Sequence, residues 1–268
     1  MDNLKLQEIA RQTRINIIKM LAKSGSGHPG GSLSITDIMT VLYFDKMNFR
    51  GGIEDPDRDR FVLSKGHAAP ALYATLAAKG IISEETLMTL REFHSPLQGH
   101  PDGAKCPGID CSTGSLGQGA SVATGMALAL KTKKSPAKVY VACGDGELQE
   151  GLCWEAFMAA GHYKLDNLTV IIDRNNLQID GFVTDVMNVE DLQKKMEGFG
   201  FAVDKIDGHD IAQIKETLDK FTEGKPHAII AKTVKGKGVS FMENQASWHG
   251  NAPKPEEAEA AIKELEGK

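Results

Sequence analysis

Two segments of this chain carry side chains suited to gripping a metal-bound diphosphate: Gly144-Asp145-Gly146 and, further on, Asn175-Asn176. Asp145 offers a hard anionic oxygen and Asn175 a neutral amide oxygen, while Gly144 and Gly146 permit a tight turn and close approach of the backbone to phosphate. One carboxylate and one amide do not fill the octahedral oxygen shell that magnesium prefers. The remaining ligands should be a diphosphate, a water and a backbone carbonyl just past Asn175, for which Leu177 is the natural choice. A second set is histidine. Of eight, four (His28, His67, His100 and His249) sit beside glycine in loops, where α/β enzymes place functional side chains. Imidazole titrates near neutrality, so one group can both donate and accept a proton. His94, His162, His209 and His227 lack a repeated glycine setting and read as structural.

Such groups need elements that bring them together. Residues 139–143 read as a buried strand running into the Gly-Asp-Gly turn. Residues 149–163, with Trp154, Phe157, Met158 and Ala160 among their apolar positions, read as a packed helix, and 168–172 as a second buried strand. This is a βαβ unit, whose crossover helix returns the chain to the same end of the sheet. Asp145 and Asn175-Asn176 therefore emerge together at the carboxyl ends of parallel strands, where such sheets bind ligands.

The rest of the chain continues the alternation. An amphipathic helix over 1–23 leads to a glycine-rich loop with His28. Ser34 is expected to start a helix to Phe44, with Asp37 in the manner of a capping box. A strand at 61–63 precedes the loop 64–70 with His67, and Ser83 caps a helix through Phe93. Residues 94–113 form a long aperiodic loop, of the kind that is usually functional or disordered. Gly114-Ser115-Leu116-Gly117-Gln118-Gly119 opens an alanine-rich helix to Lys131. Helices at 189–199 and 211–221 alternate with strands at 201–206 and 227–233. A second long loop, 234–253, contains Lys235-Gly236-Lys237-Gly238 and Ser247-Trp248-His249-Gly250, and a charged helix near 255–266 ends the chain. One α/β domain over 1–268, a doubly wound parallel sheet with helices on both faces, accounts for the pattern.

Composition narrows the function. The chain is 41% hydrophobic and 25% charged with a net charge of −5, so no basic field exists for nucleic acid or an anionic membrane, and phosphate recognition must be local. Cys106, Cys111, Cys143 and Cys153 show no C-x-x-C spacing and read as reduced cysteines of a cytoplasmic protein. The amino terminus lacks the apolar core of a signal peptide, and no stretch is long enough to span a bilayer.

The Gly-Asp-Gly turn paired with Asn175-Asn176 resembles the diphosphate-binding motif of thiamine diphosphate enzymes. Residues 144–151 and 173–181, with the loops Gly27-His28-Pro29-Gly30, Ser64-Lys65-Gly66-His67-Ala68, Gly99-His100-Pro101-Asp102 and His249-Gly250, are similar to transketolase. The resemblance runs from His28 to His249 and covers only the amino-terminal third or so of a single-chain transketolase. It implies thiamine diphosphate with Mg2+ (or Ca2+ or Mn2+) held by Asp145, Asn175 and Leu177. By the same resemblance Gly144 and Gly146 lie at the diphosphate and His67 and His249 near it. His28 and His249 handle protons on the acceptor sugar's carbonyl oxygen, and His100 contacts the donor's C1 hydroxyl. Gly114 and Leu116 lie beneath the thiamine rings, where Ser115 replaces a proline common in the family. Glu150 matches a glutamate that couples two active sites across the subunit interface.

In the family the cofactor lies between this diphosphate-binding domain and a pyrimidine-binding domain, for which the residues after 250 offer no candidate. The resemblance thus implies the amino-terminal subunit of a split transketolase, moving a two-carbon ketol unit between sugar phosphates. Its partner would be a carboxy-terminal subunit carrying the pyrimidine-binding domain, in an α2β2 assembly. Two other readings share the metal motif: the α subunit of a 2-oxo acid dehydrogenase or decarboxylase, and a non-catalytic cofactor-binding remnant.

Overall fold

Runs of β-branched and small apolar residues with no polar alternation suit strands covered on both faces, and the two such runs form the centre of the sheet. The computed structural model describes residues 1–267; Lys268, the last residue of the expected 1–268 domain, lies outside them. The strands are β1 (Arg60–Leu63), β2 (Val139–Gly144), β3 (Leu168–Arg174), a hairpin of β4 (Leu177–Gln178) and β5 (Gly181–Phe182), then β6 (Ala202–Asp207) and β7 (His227–Lys232). Five of them make one parallel sheet in the order β1-β2-β3-β7-β6. In its register Gly144 lies opposite Asp173, which sets the Asp145 turn beside the Asn175 turn.

Helices cover both faces, as the alternation predicts. They are α1 (Asn3–Ser24), α2 (Pro29–Val41), α3 (Ala69–Ala78), α4 (Glu84–Leu87), α5 (Gln118–Thr132), α6 (Gly151–His162), α7 (Val183–Val186), α8 (Leu192–Gly198), α9 (Ile211–Leu218) and α10 (Pro255–Leu265). Alternate strand residues point to opposite sides. Phe61, Tyr140, Ile171 and Ile229 pack with α1, α2, α3, α9 and α10 on one face. Val62, Val141, Val170 and Ile230 pack with α5, α6 and α8 on the other. A fully buried ring such as Phe157 contributes about 2–3 kcal/mol through removal of its apolar surface from water.

Four local expectations change. The second helix begins at Pro29, not Ser34, because proline at the first turn has its φ preset and lacks an N–H that would go unpaired anyway. Asp37 is consequently not a cap; it sits in the buried helix interior and accepts from Arg14 at 2.6 and 3.0 Å. Ser83 does cap a helix, its hydroxyl oxygen accepting from Thr86 N–H at 3.0 Å. That helix ends at Leu87 rather than Phe93, and the chain then turns through Arg91 and His94 at positive φ. Met158, expected to pack, is 58% exposed on the outer side of α6.

Candidate active site

The loops after β1, β2, β3 and β7 enclose a cavity of about 180 Å³ whose lining includes Gly31, Lys65, His67, Leu116, Gly144, Asp145, Gly146, Glu150, Asn175, Leu177, Lys235 and His249. Asp145 is 3% exposed and forms no ion pair among the described residues. Its Oδ1 accepts from Gly146 N–H at 2.9 Å and its Oδ2 from Asn176 N–H at 2.5 Å. Burial, together with nearby Asp173, pushes this carboxyl up to about 6 against the two amide hydrogen bonds. A buried carboxylate in that condition is stabilised by an added cation. Asn175 Oδ1 faces the same turn, accepting from Leu177 N–H at 3.0 Å. These are hard oxygen donors of the kind magnesium takes, and too few to enclose it without oxygens from a bound diphosphate and water. Among the described residues no group of three or more His, Cys, Asp or Glu side chains could hold a metal.

Beneath the cavity lies a buried ion pair. Asp173, fully buried, accepts from Lys65 Nζ, from Thr233 Oγ1 and, at 2.6 Å, from Ser34 Oγ. Burial alone would raise its carboxyl; the Lys65 ammonium and the hydroxyl donors outweigh it and hold the group below the usual carboxylate range. Lys65 Nζ also donates to Gly31 O at 2.7 Å. The pair therefore joins the loops after β1 and β7 and the end of β3 to the start of α2.

Four imidazoles cluster here, His67 and His249 in the cavity lining and His28 and His100 beside them. His28 lies 5.5 Å from His67, 5.5 Å from His249 and 6.3 Å from His100, centroid to centroid, and His67 lies 5.0 Å from His249. Glycines permit this crowding: a Cβ on Gly31 would come within 3.1 Å of His67 Nε2, and one on Gly114 within 3.2 Å of the His100 ring. Burial lowers His28 to about 4, aided by the charges of Arg91, His100 and Lys235. Burial and Lys235 lower His249 to about 3. His67 falls well below its ordinary value through burial and Lys65, and His100 is lowered by burial and Arg91. All four are thus neutral at pH 7. The Lys235 ammonium donates to His249 Nδ1 at 2.8 Å and to Leu177 O at 3.0 Å, so His249 keeps its proton on Nε2. His28 Nδ1 is buried without a hydrogen-bond partner.

This arrangement agrees with what known proteins share with the chain. Residues 6–267 match the family described as "Transketolase, thiamine diphosphate binding domain". The chain belongs to the transketolase family. It is 45% identical over 267 residues to one subunit of the apulose-4-phosphate transketolase of Phocaeicola vulgatus, covering 98% of this chain and 94% of that protein. It is 44% identical over 268 residues to the 6-deoxy-6-sulfo-D-fructose transketolase subunit SqwG of Clostridium sp. (strain MSTE9), covering 97% and 98%. The crystal structure of Campylobacter jejuni transketolase superposes with a TM-score of 0.91 at 36% identity, over 99% of this chain but 43% of that one. Membership in this family sets aside the 2-oxo acid dehydrogenase reading.

Within this transketolase domain every residue singled out from the sequence lies in or beside the one cavity. His67 and His249 line it with His28 and His100 clustered beside them, Gly114 and Leu116 lie at the turn before α5, and Asp145, Asn175 and Leu177 at the strand ends. Glu150 lies at the rim, where it precedes α6. The other four histidines do not line it. His209 instead holds structure, with Nδ1 2.7 Å from Asp37 and Nε2 accepting from Val234 N–H at 2.9 Å. Sequence reasoning missed Lys65, Lys235, Asp173, Ser34, Glu147 and Arg91. The first and second stand in loops already marked by glycine and histidine, and that neighbourhood was the available signal.

Proposed function

We propose that this chain is the cofactor-binding subunit of a two-chain transketolase that moves a two-carbon ketol unit from a ketose phosphate to an aldose phosphate. The observation that carries the reading is the convergence of Asp145, Asn175, Leu177, His67 and His249 on one cavity at the strand ends, with His28 and His100 clustered beside those two imidazoles. Asp145, Asn175 and the Leu177 carbonyl would hold Mg2+, or Ca2+ or Mn2+ in its place, with Gly144, Gly146, His67, Lys235 and His249 at the diphosphate. Gly114 and Leu116 would support the rings. Bound thiamine diphosphate supplies a nucleophilic carbon able to carry the two-carbon unit.

This chain's own residues orient and move protons. His28 and His249 handle the proton at the acceptor's carbonyl oxygen: neutral His28 has one donating and one accepting nitrogen, and His249, its Nδ1 taken by Lys235, presents the Nε2 proton. His100 orients the donor's C1 hydroxyl. Arg91, which donates to Ser26 Oγ at 3.1 Å and whose charge is felt at His28 and His100, would supply positive charge beside those histidines for an anionic sugar. Two relatives are named for substrates carrying a phosphate or a sulfo group, and an anionic ketose fits that charge.

A carboxy-terminal partner with the pyrimidine-binding domain would complete the site, in an α2β2 assembly with Glu150 at the interface between sites. Relatives of the same length are named as subunits, which supports a separate partner. We place the enzyme in the cytoplasm, since all four cysteines are free; no helix among the described residues is long and apolar enough to cross a membrane. The test is to purify the chain free of host transketolase and assay transfer from xylulose 5-phosphate with thiamine diphosphate and magnesium. Activity should be absent for the chain alone and appear on mixing with the partner; robust turnover by the isolated chain would refute the two-chain reading.

A further inference from the structure

Beside the metal turn is a buried carboxylate that the chemistry above does not use. Glu147 is 3% exposed and forms no ion pair among the described residues. Its Oε1 accepts from Ser64 Oγ at 2.5 Å and from Gly117 N–H at 2.9 Å, while its Oε2 accepts from Gly144 N–H at 3.0 Å. Ser64 Oγ in turn accepts from Ala120 N–H at 3.1 Å. Every neighbour donates, so the group serves as an acceptor at both oxygens.

The partners belong to three different segments. Ser64 follows directly on β1, Gly117 lies in the turn that carries Gly114 and Leu116, and Gly144 ends β2 just before Asp145. These segments touch at backbone distance: a Cβ on Gly119 would lie 2.6 Å from Ser64 Cα, and one on Gly66 2.8 Å from Gly114 N. Burying a carboxylate without a counter-charge is expensive. A fold retains one where converging backbone N–H groups would otherwise be left unpaired.

We propose that Glu147 is a positioning residue that sets the span of the cofactor site, its single carboxylate holding the Gly117 turn at a fixed distance from the Gly144 turn. The proposal rests on the reading that thiamine diphosphate lies between those two turns. A ligand gripped at both ends depends on the span, whereas a ligand gripped only at the diphosphate end does not.

The test compares two ligands on the chain assembled with its partner, by titration calorimetry at saturating magnesium: thiamine diphosphate, which on this reading reaches both turns, and pyrophosphate, which reaches one. Glu147→Gln keeps the size but sets an NH2 against one of the donors. Ser64→Ala removes the hydroxyl that links the carboxylate to Ala120. Each should weaken thiamine diphosphate by roughly tenfold or more, the scale of losing a charge-assisted hydrogen bond, and pyrophosphate by less than about threefold. Amide exchange at Gly117 and Gly144 should quicken in Glu147→Gln while β2 and β3 otherwise keep their protection. Asp145→Ala should weaken both ligands alike.

Equal losses for the two ligands, or no loss, would overturn the positioning role, as would faster exchange throughout β2 and β3. Should Glu147→Gln not fold, the ligand ratio in Ser64→Ala decides the matter by the same criterion. Wild-type enzyme assembled with its partner that binds neither ligand overturns the reading of the site first and the inference with it. Wild-type binding with an unchanged ratio in the variants overturns the inference alone.

Discussion

Asp145→Asn should leave the chain as stable as the wild type, or more so, while removing magnesium-dependent cofactor binding. A carboxyl held at about 6 rather than the ordinary 3.8 has an ionised form that is about 3 kcal/mol less favourable in the fold than in the unfolded chain, at about 1.36 kcal/mol per pH unit. Asparagine removes that charge but keeps only one acceptor oxygen for the Gly146 and Asn176 amides, which costs about 1–2 kcal/mol. The expected balance at pH 7.5 is a gain of about 1–2 kcal/mol. The sign follows from proton linkage. Between pH 3.8 and about 6 the folded wild type binds more protons than the unfolded chain, so its stability falls as pH rises through that window. The advantage of the variant should therefore be full at pH 7.5 and reverse to a deficit of about 1 kcal/mol towards pH 4, where the wild-type carboxyl is protonated. Urea unfolding in the presence of a chelator, at both pH values, measures it, and calorimetry with thiamine diphosphate and magnesium measures binding. An asparagine variant clearly less stable than the wild type at pH 7.5, or one that retains tight magnesium-dependent binding, would refute the argument.

Removing Asp173 should act in the opposite direction. Asp173→Ala leaves the Lys65 ammonium buried and unpaired, at a cost of about 3–5 kcal/mol, readable as a lowered urea midpoint without cofactor. In the assembled enzyme His28→Ala and His100→Ala should lower turnover or raise the sugar KM with cofactor affinity nearly intact, whereas His67→Ala and His249→Ala should affect both; equal cofactor loss in all four would contradict the division. The His28 and His249 imidazoles, held at about 4 and about 3, charge only in acid. The rate profile of the assembled enzyme should consequently show no histidine-type inflection between pH 6 and 7, and a limb centred near 6.5 would show that they titrate normally.

Much of the fold was legible because its signals are local. The runs at 139–143 and 168–172 exclude a solvated face, and a βαβ unit has one usual hand, so pattern and topology together set Asp145 beside Asn175. The glycine-flanked histidines were legible for a similar reason, since glycine marks backbone that must pass close to something. Local signals failed where a distant partner decided the outcome. Asp37 three residues after Ser34 has the spacing of a cap, yet Pro29 starts the helix earlier and Arg14 and His209 claim the carboxylate. Met158 has the chemistry of a core residue and faces outward.

What the sequence alone determined is therefore the order of elements, the end of the sheet at which the chemistry gathers, and the residue types that gather there. The tertiary structure decided which charges support them. Lysine in a glycine-rich loop reads as a solvated side chain, because an isolated ammonium is almost never buried. Lys65 is buried only because Asp173, 108 residues away, meets it. Lys235 reaches Leu177 across 58 residues, and Glu147 joins turns from three segments. Such pairings compensate a desolvation cost that depends on three-dimensional surroundings, and no spacing along the chain encodes them.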